Sequence, residues 1–225
     1  MPLSLQLVTP PVAEPVSLDQ AKQHLRVDFP DDDALITGLI TAARQYAEKY
    51  LHRAIFNQTW VRSIDYFPLW YSQNGTVSAA YRNDWPYYAD FWARITIDLP
   101  WPRTVSVSSI TYIDQTGTDR TLDPSAYFVD TTSMPGRIVP SQGNYWPTVM
   151  TYQPGSVKIT YVAGSYGDGV SVNNCPQTIV QAMLMLIAHW YENREAISTL
   201  PLKNVPLGIN ALLDTERLRV FQYRP

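Results

Sequence analysis

One cysteine, Cys175, stands in 225 residues. That excludes an internal disulfide framework and any cysteine-clustered zinc or iron–sulfur site. Charged residues make up 16% of the chain, well below the roughly 25% of an average soluble domain. The net charge is −3 and no basic block stands out, which argues against a conventional sequence-reading DNA binder. The longest apolar run, near Ala182 to Ala188, falls far short of the ~20 residues a bilayer span requires. Met1 to Glu14 has neither a charged n-region nor an apolar h-region, so it does not read as a signal peptide. No HExxH, GxSxG or P-loop pattern occurs. These absences lead to the expectation of a soluble, intracellular chain with no membrane contact.

Aromatic residues are plentiful, with 15 Tyr and 7 Trp, and proline is too, at 18. A surface poor in charge and rich in rings is one that partners cover.

Residues 1–16 hold Pro2, Pro10, Pro11 and Pro15. Each proline fixes φ and removes an amide donor, so an extended arm is expected. Ser17-Leu18-Asp19-Gln20 is a capping box that opens a short helix to about Arg26. After the aspartate turn at 28–33, Leu35, Ile36, Leu39, Ile40, Ala43, Tyr46, Ala47 and Tyr50 recur at helical spacing, predicting a helix to about Leu51.

From Ala54 the period becomes two. Strands are expected around Phe56–Ile64, Ile95–Leu99 and Val105–Tyr112, with a bulge or break near Ser108. A hairpin turn is expected at Asp114–Gly117, and further strands at 127–130, 136–139 and 157–162. Residues 54–163 thus read as a β module. Within it, 67–93 carries nine aromatic residues without a period, which predicts a long packed loop. The rings there fit local packing, a protein contact or sugar stacking.

Helical spacing returns after the glycine-rich connector 164–174. Pro176 suits a first helical turn, and Ile179, Val180, Met183, Leu186, Ile187, Trp190 and Tyr191 form a broad apolar face ending near Ile197. A short helix at 209–214 and a tail at 215–225 follow. The fold class expected is α+β. The helices of 17–53 and 170–214 pack as one helical unit, because neither amphipathic face can be buried alone. A large antiparallel β module, 54–163, is inserted between them.

No constellation of catalytic groups is visible. His24, His52 and His189 each lie on or beside a different helix, without partners at ligand spacing. Asp31-Asp32-Asp33 reads as helix capping, and Cys175 has no candidate base. Asp65, Asp98, Asp114, Asp119 and Asp130 fall mostly at strand ends and turns. No catalytic, metal or cofactor-binding residue is therefore assigned, and no cofactor is expected. The tail carries three bases, Arg217, Arg219 and Arg224, against one acid, Glu216. Too short to fold alone, it gains order by docking on another surface. Leu218, Val220, Phe221 and Tyr223 are the candidate partner-binding anchors there, with Trp85 and Trp92 in the aromatic loop.

Val16-Ser17-Leu18-Asp19-Gln20-Ala21-Lys22-Gln23-His24-Leu25-Arg26-Val27, the aspartate turn and the Leu35–Leu51 helix together resemble the opening of tailed-phage head–tail connector proteins. Ile159-Thr160-Tyr161-Val162-Ala163-Gly164, Pro176, His189-Trp190-Tyr191-Glu192-Asn193-Arg194-Glu195 and Pro206-Leu207-Gly208 continue the likeness. Asp114–Gly117, Tyr127 and Trp146-Pro147 fit the longer branch of that family. The likeness covers 16–66 and 94–221, and departs at 67–93. It implies a structural virion protein, assembled in the host cytoplasm, that forms a homo-oligomeric ring, a dodecamer in the virion. The implied neighbours are the portal protein and a tail or stopper protein. DNA would pass through without sequence-specific binding, which suits a mildly acidic chain. The competing reading is a carbohydrate-binding or glycoside-hydrolysing β-rich virion protein that uses the aromatic loop.

Overall fold

The computed structural model of the chain describes residues 4–68, 95–101, 103–149, 153–193 and 207–217. The elements in order are β1 (Ser4–Thr9), α1 (Leu18–Leu25), α2 (Asp33–Leu51), β2 (Gln58–Ile64), β3 (Ile97–Leu99), β4 (Thr104–Ile113), β5 (Asp119–Thr121), a 3-10 turn (Pro124–Ala126), β6 (Tyr127–Asp130), β7 (Gly136–Pro140), β8 (Val157–Ala163), α3 (Gln177–Glu192) and α4 (Leu207–Glu216). They fall into two compact units. One holds β1 with Gln58–Ala163, the other Pro10–Asn57 with the chain from Gly164 onward. The class is α+β, as the two periodicities predict.

In the helical unit the capping box at Ser17 is complete. Gln20 N donates to Ser17 Oγ at 3.1 Å, and Ser17 N donates to Gln20 Oε1 at 3.0 Å. Ile36, Ile40, Ala43, Ala47 and Leu51 of α2 are buried. They share one core with Ile179, Ala182, Met183, Leu186 and Ile187 of α3 and with Ile209 and Leu213 of α4. Leu39 and Tyr46 pack on the rim of that core, and the Tyr46 ring meets Trp190 edge-on at 6.1 Å. Each buried Leu or Ile contributes about 1.5–3 kcal/mol, so the sequence-distant helices hold each other.

The aspartate triplet acts differently from the capping expected of it. Asp32 occupies the N-cap of α2 without a side-chain cap bond. Its carboxylate instead accepts from the Tyr191 hydroxyl, and Asp33 pairs with Lys22 Nζ at 2.6 Å. The reason is geometric: the Asp32 backbone has φ −95° and ψ 3°, not the extended conformation in which a cap side chain folds back on the first amides. The aspartates tie α2 to α3 and α1.

The β unit contains a five-stranded antiparallel sheet in the order β1-β2-β8-β4-β5 and a three-stranded sheet in the order β3-β7-β6. Val157, Ile159, Tyr161 and Ala163 of β8 are buried and alternate with less buried residues, the period-two pattern that fixes the register. Register irregularities in β4 fall between Thr104 and Ser106 and between Val107 and Ser109, where the apolar parity slips. Rings fill the unit: Phe67 stacks on Trp146 at 5.0 Å, Trp60 stacks on Trp101 at 5.1 Å, and the Tyr161 hydroxyl donates to Pro100 O at 2.6 Å.

The arm expected over 1–16 contains β1, which pairs with β2 from Ser4↔Ser63 to Thr9↔Thr59. The prolines bound this strand at positions 2 and 10 and leave its own amides intact.

Candidate assembly site

The C-terminal helix α4 is held by a polar ladder whose rungs repeat at helical spacing. The Tyr46 hydroxyl donates to Asn210 Oδ1 at 3.3 Å, and the Tyr50 hydroxyl donates to Asp214 Oδ1 at 2.9 Å. The two tyrosines sit one turn apart on α2, as Asn210 and Asp214 do on α4, so the rungs align. Their rings stack at 6.4 Å. Arg217 places its guanidinium 5.2 Å from the Tyr50 ring centroid, within cation–π range. Glu216 closes the helix end, accepting from Thr178 Oγ1 at 3.2 Å and from the Tyr166 hydroxyl at 3.3 Å. Burial first, and then the neighbouring Asp214 carboxylate, push the Tyr50 hydroxyl above its ordinary pKa, which keeps it a donor. α4 ends at Glu216, two residues before position 218 of the tail.

The same helical unit holds a largely buried ion cluster. Arg44, 3% exposed, donates through Nε to Glu14 Oε2 at 2.8 Å and through Nη1 to Glu48 Oε2 at 2.8 Å. Glu48 Oε1 also accepts from Ile55 N at 3.0 Å, and Glu14 Oε1 from Thr41 Oγ1 at 3.2 Å. The segment before α1 is thereby clamped onto α2.

Among the described residues, the groups able to carry chemistry are dispersed. His24 and His52 are exposed and His189 is half-buried. No group of three His, Cys, Asp or Glu residues among the described residues could hold a metal ion. Burial pushes the Cys175 thiol up to about 12, so it stays protonated and unreactive at neutral pH. The Asp168 carboxylate accepts from Val170 N and Val172 N, which turns the glycine-rich connector inward on itself. Asp114 accepts from Thr116 and Thr118 and from Arg120 Nε. Asp130 does the same for Thr132, Ser133 and Arg137 Nε. These bonds hold both carboxyls well below the usual range. Both aspartates lock hairpin turns. The Asp98 carboxyl shifts upward, through desolvation that Arg62 and Arg137 partly offset.

The sequence-predicted contact residues Leu218, Val220, Phe221, Tyr223, Trp85 and Trp92 lie outside the described residues. Phe67 opens the aromatic stretch and is described: it is fully buried between Trp146 and Tyr112. Two features escaped sequence reasoning. One is the ladder, whose only trace is the matched four-residue spacing of Tyr46/Tyr50 and Asn210/Asp214. The other is β1, an exposed edge strand whose Leu5 and Leu7 alternate with Ser4 and Gln6.

A family model described as phage gp6-like head-tail connector protein matches residues 15–82. The likeness read from the opening of the chain is borne out there, and it reaches into residues 67–82, which the sequence reading set apart as a departure. No curated protein matches the chain. Solved structures similar over almost its whole length include the following three. One is a chain of the neck of an empty gene transfer agent particle, computed with C6 symmetry, at 19% identity and TM-score 0.66, covering 98% of this chain and 99% of that one. Another is a chain of the virion of a native gene transfer agent particle, at 20% identity and TM-score 0.67, covering 99% and 100%. The third comes from the neck of a native particle computed with C12 symmetry, at 20% identity and TM-score 0.63, covering both chains fully. At these identities the likeness establishes the fold.

Proposed function

We propose that this chain is a structural virion protein, a head–tail connector that forms a homo-oligomeric ring between portal and tail and prolongs the DNA channel. The observation that carries this reading is the match of residues 15–82 to a head–tail connector family, on a chain whose whole fold is that of chains in particle necks. The twelve-fold ring follows the C12 symmetry of one of those necks. The portal and a tail or stopper protein are its neighbours in this reading, and the ring is assembled in the host cytoplasm.

The work of such a protein is mechanical. The helical unit of 17–53 and 170–214 braces the ring. The β module of 54–163 projects contact surfaces, Trp85 and Trp92 among them. The tail, through Leu218, Val220, Phe221 and Tyr223, grips the portal or an adjacent copy. Mild acidity, with a net charge of −3, keeps a passing duplex from sticking, since basic walls would bind phosphate. No catalytic role is assigned. Electron microscopy of the protein mixed with its portal tests this: a ring of copies seated on the portal is expected. A chain that never associates with the portal overturns it.

A further inference from the structure

The two edges of the five-stranded sheet are unlike. The β5 edge is three residues long and carries Asp119 and Arg120, both exposed, the charged and shortened form that protects a sheet from pairing with another chain. The β1 edge has six residues, Ser4-Leu5-Gln6-Leu7-Val8-Thr9, with no charge, glycine or proline. Five of the six are exposed, Leu7 to 37% and Val8 to 54%. Its protection is a single irregularity between Leu7 and Thr9, which leaves Ser4 to Leu7 in regular register. Such an edge is a template for a further strand.

The sequence of β1 says which strand fits. Leu5 and Leu7 pair with Arg62 and Trp60, and so share one face of the sheet; Ser4 and Gln6 share the other. A second β1 laid antiparallel about Gln6 brings Leu5 of one copy opposite Leu7 of the other, twice, and Gln6 opposite Gln6. The apolar pairs then fall on a single face and no like charges meet, the condition for favourable cross-strand pairs. A one-residue slip would place leucines on opposite faces. We propose that the unassembled chain forms an antiparallel dimer through β1, with the two Gln6 residues facing each other across a two-fold axis.

This contact is isologous, whereas ring closure takes a head-to-tail contact. The dimer is therefore a state of the free chain, distinct from the ring. Pairing of one short strand per copy buries less than the ~1,200 Å² of a stable interface, so the dimer is weak and dissociates on dilution.

Light scattering on the full chain tests it at about 100 µM and about 1 µM, concentrations that bracket a weak interface. The expected result is a doubled mass at the higher concentration that falls to one chain at the lower. Gln6 is exposed, so Gln6→Lys and Gln6→Glu keep the fold, checked by unchanged thermal melts. Each variant alone stays at one-chain mass, because like charges face each other, and mixing the two restores the doubled mass. A wild-type chain of single mass at both concentrations overturns the dimer. So do Gln6→Lys and Gln6→Glu variants that each double alone, or a mixture that stays single. Portal binding is read separately by microscopy: a monomeric chain that still builds a ring refutes the dimer and leaves the connector reading standing, and a dimer that ignores the portal does the reverse.

Discussion

The Tyr50 hydroxyl reaches Asp214 Oδ1 at 2.9 Å across 164 positions of sequence, joining the first long helix to the last. The rung is near solvent, so its net worth is that of an ordinary hydrogen bond. Tyr50→Phe should lower stability by about 0.5–1.5 kcal/mol, and Tyr46→Phe by a similar or smaller amount. The pair shares a ring stack and a helix to hold, so the double variant should depart from additivity. Urea melts of the four proteins check this.

Arg44 gives a larger effect. It is almost fully buried with Glu48, and both bind at 2.8 Å. Arg44→Met removes the buried guanidinium that binds both Glu48 and Glu14 and should cost about 3–5 kcal/mol. Adding Glu48→Gln lowers the buried negative charge while retaining an acceptor for Ile55 N, and should recover part of the loss. Equilibrium unfolding of the single and double variants decides it; a double variant no more stable than Arg44→Met would refute the charge argument.

Local rules made much of this fold legible. Ser17 and Gln20 announce α1 three residues apart, and the 3.6-residue apolar recurrence of Ile36, Ile40, Ala43 and Ala47 marks α2. Tyr127–Asp130 stands where the strand was expected, because turn residues flank it on both sides. What stayed hidden depends on distant partners. β1 is a lone edge strand amid prolines, and its pairing is decided by Trp60 and Arg62 on a strand some fifty residues later. The ladder to Asn210 and Asp214 uses polar residues whose partners no local pattern specifies. Asp32 reads as a cap, yet is turned to Tyr191 by a backbone conformation that the sequence does not reveal.

Gly164 occupies a place where no side chain fits. A Cβ there would come within 2.7 Å of Asn57 N and 2.8 Å of Asn57 Cα and would also meet Asn57 Oδ1. Backbone atoms cannot swing away, so Gly164→Ala should destabilise by about 1–3 kcal/mol. At Gly117 the space is open but φ is +81°, and Gly117→Ala should cost about 1 kcal/mol through backbone strain alone. Thermal melts that rank the two variants the other way would count against the packing argument.

Stability should fall at both ends of the pH scale, for opposite reasons. Asp114, Asp130, Asp123 and Asp168 sit below their ordinary value of 3.8 because backbone and side-chain donors hold the ionised form. Their contribution is present above that value. It is lost as pH falls, since the unfolded chain takes up protons that the folded one refuses. Tyr161, Tyr166 and Tyr50 sit above their ordinary value of 10.0 through burial. Their contribution is present below pH 10 and is lost as pH rises, because the unfolded chain then releases protons that the folded one keeps. Melting temperatures followed across pH should show both limbs, and Asp114→Asn with Asp130→Asn should flatten the acidic one.

The tail supplies the sharpest separation of folding from assembly, provided the cut is placed after Arg217. Glu216 must remain, because it accepts from Thr178 and Tyr166. Arg217 should remain as well, because it lies over Tyr50. Removing residues 218–225 takes away Leu218, Val220, Phe221 and Tyr223 and two arginines while leaving every described contact of α4 intact. The truncated chain should melt within about 1 kcal/mol of wild type, because the described bonds that hold α4 are all kept. Attachment to filled heads should be lost, because the apolar anchors and the positive charge that would offset the ordering of the segment go with it. Removing 216–225 instead should also loosen α4, visible as faster amide exchange along Leu207–Thr215. If the 218–225 deletion joins heads as well as wild type does, the tail is dispensable and the grip on the portal lies elsewhere.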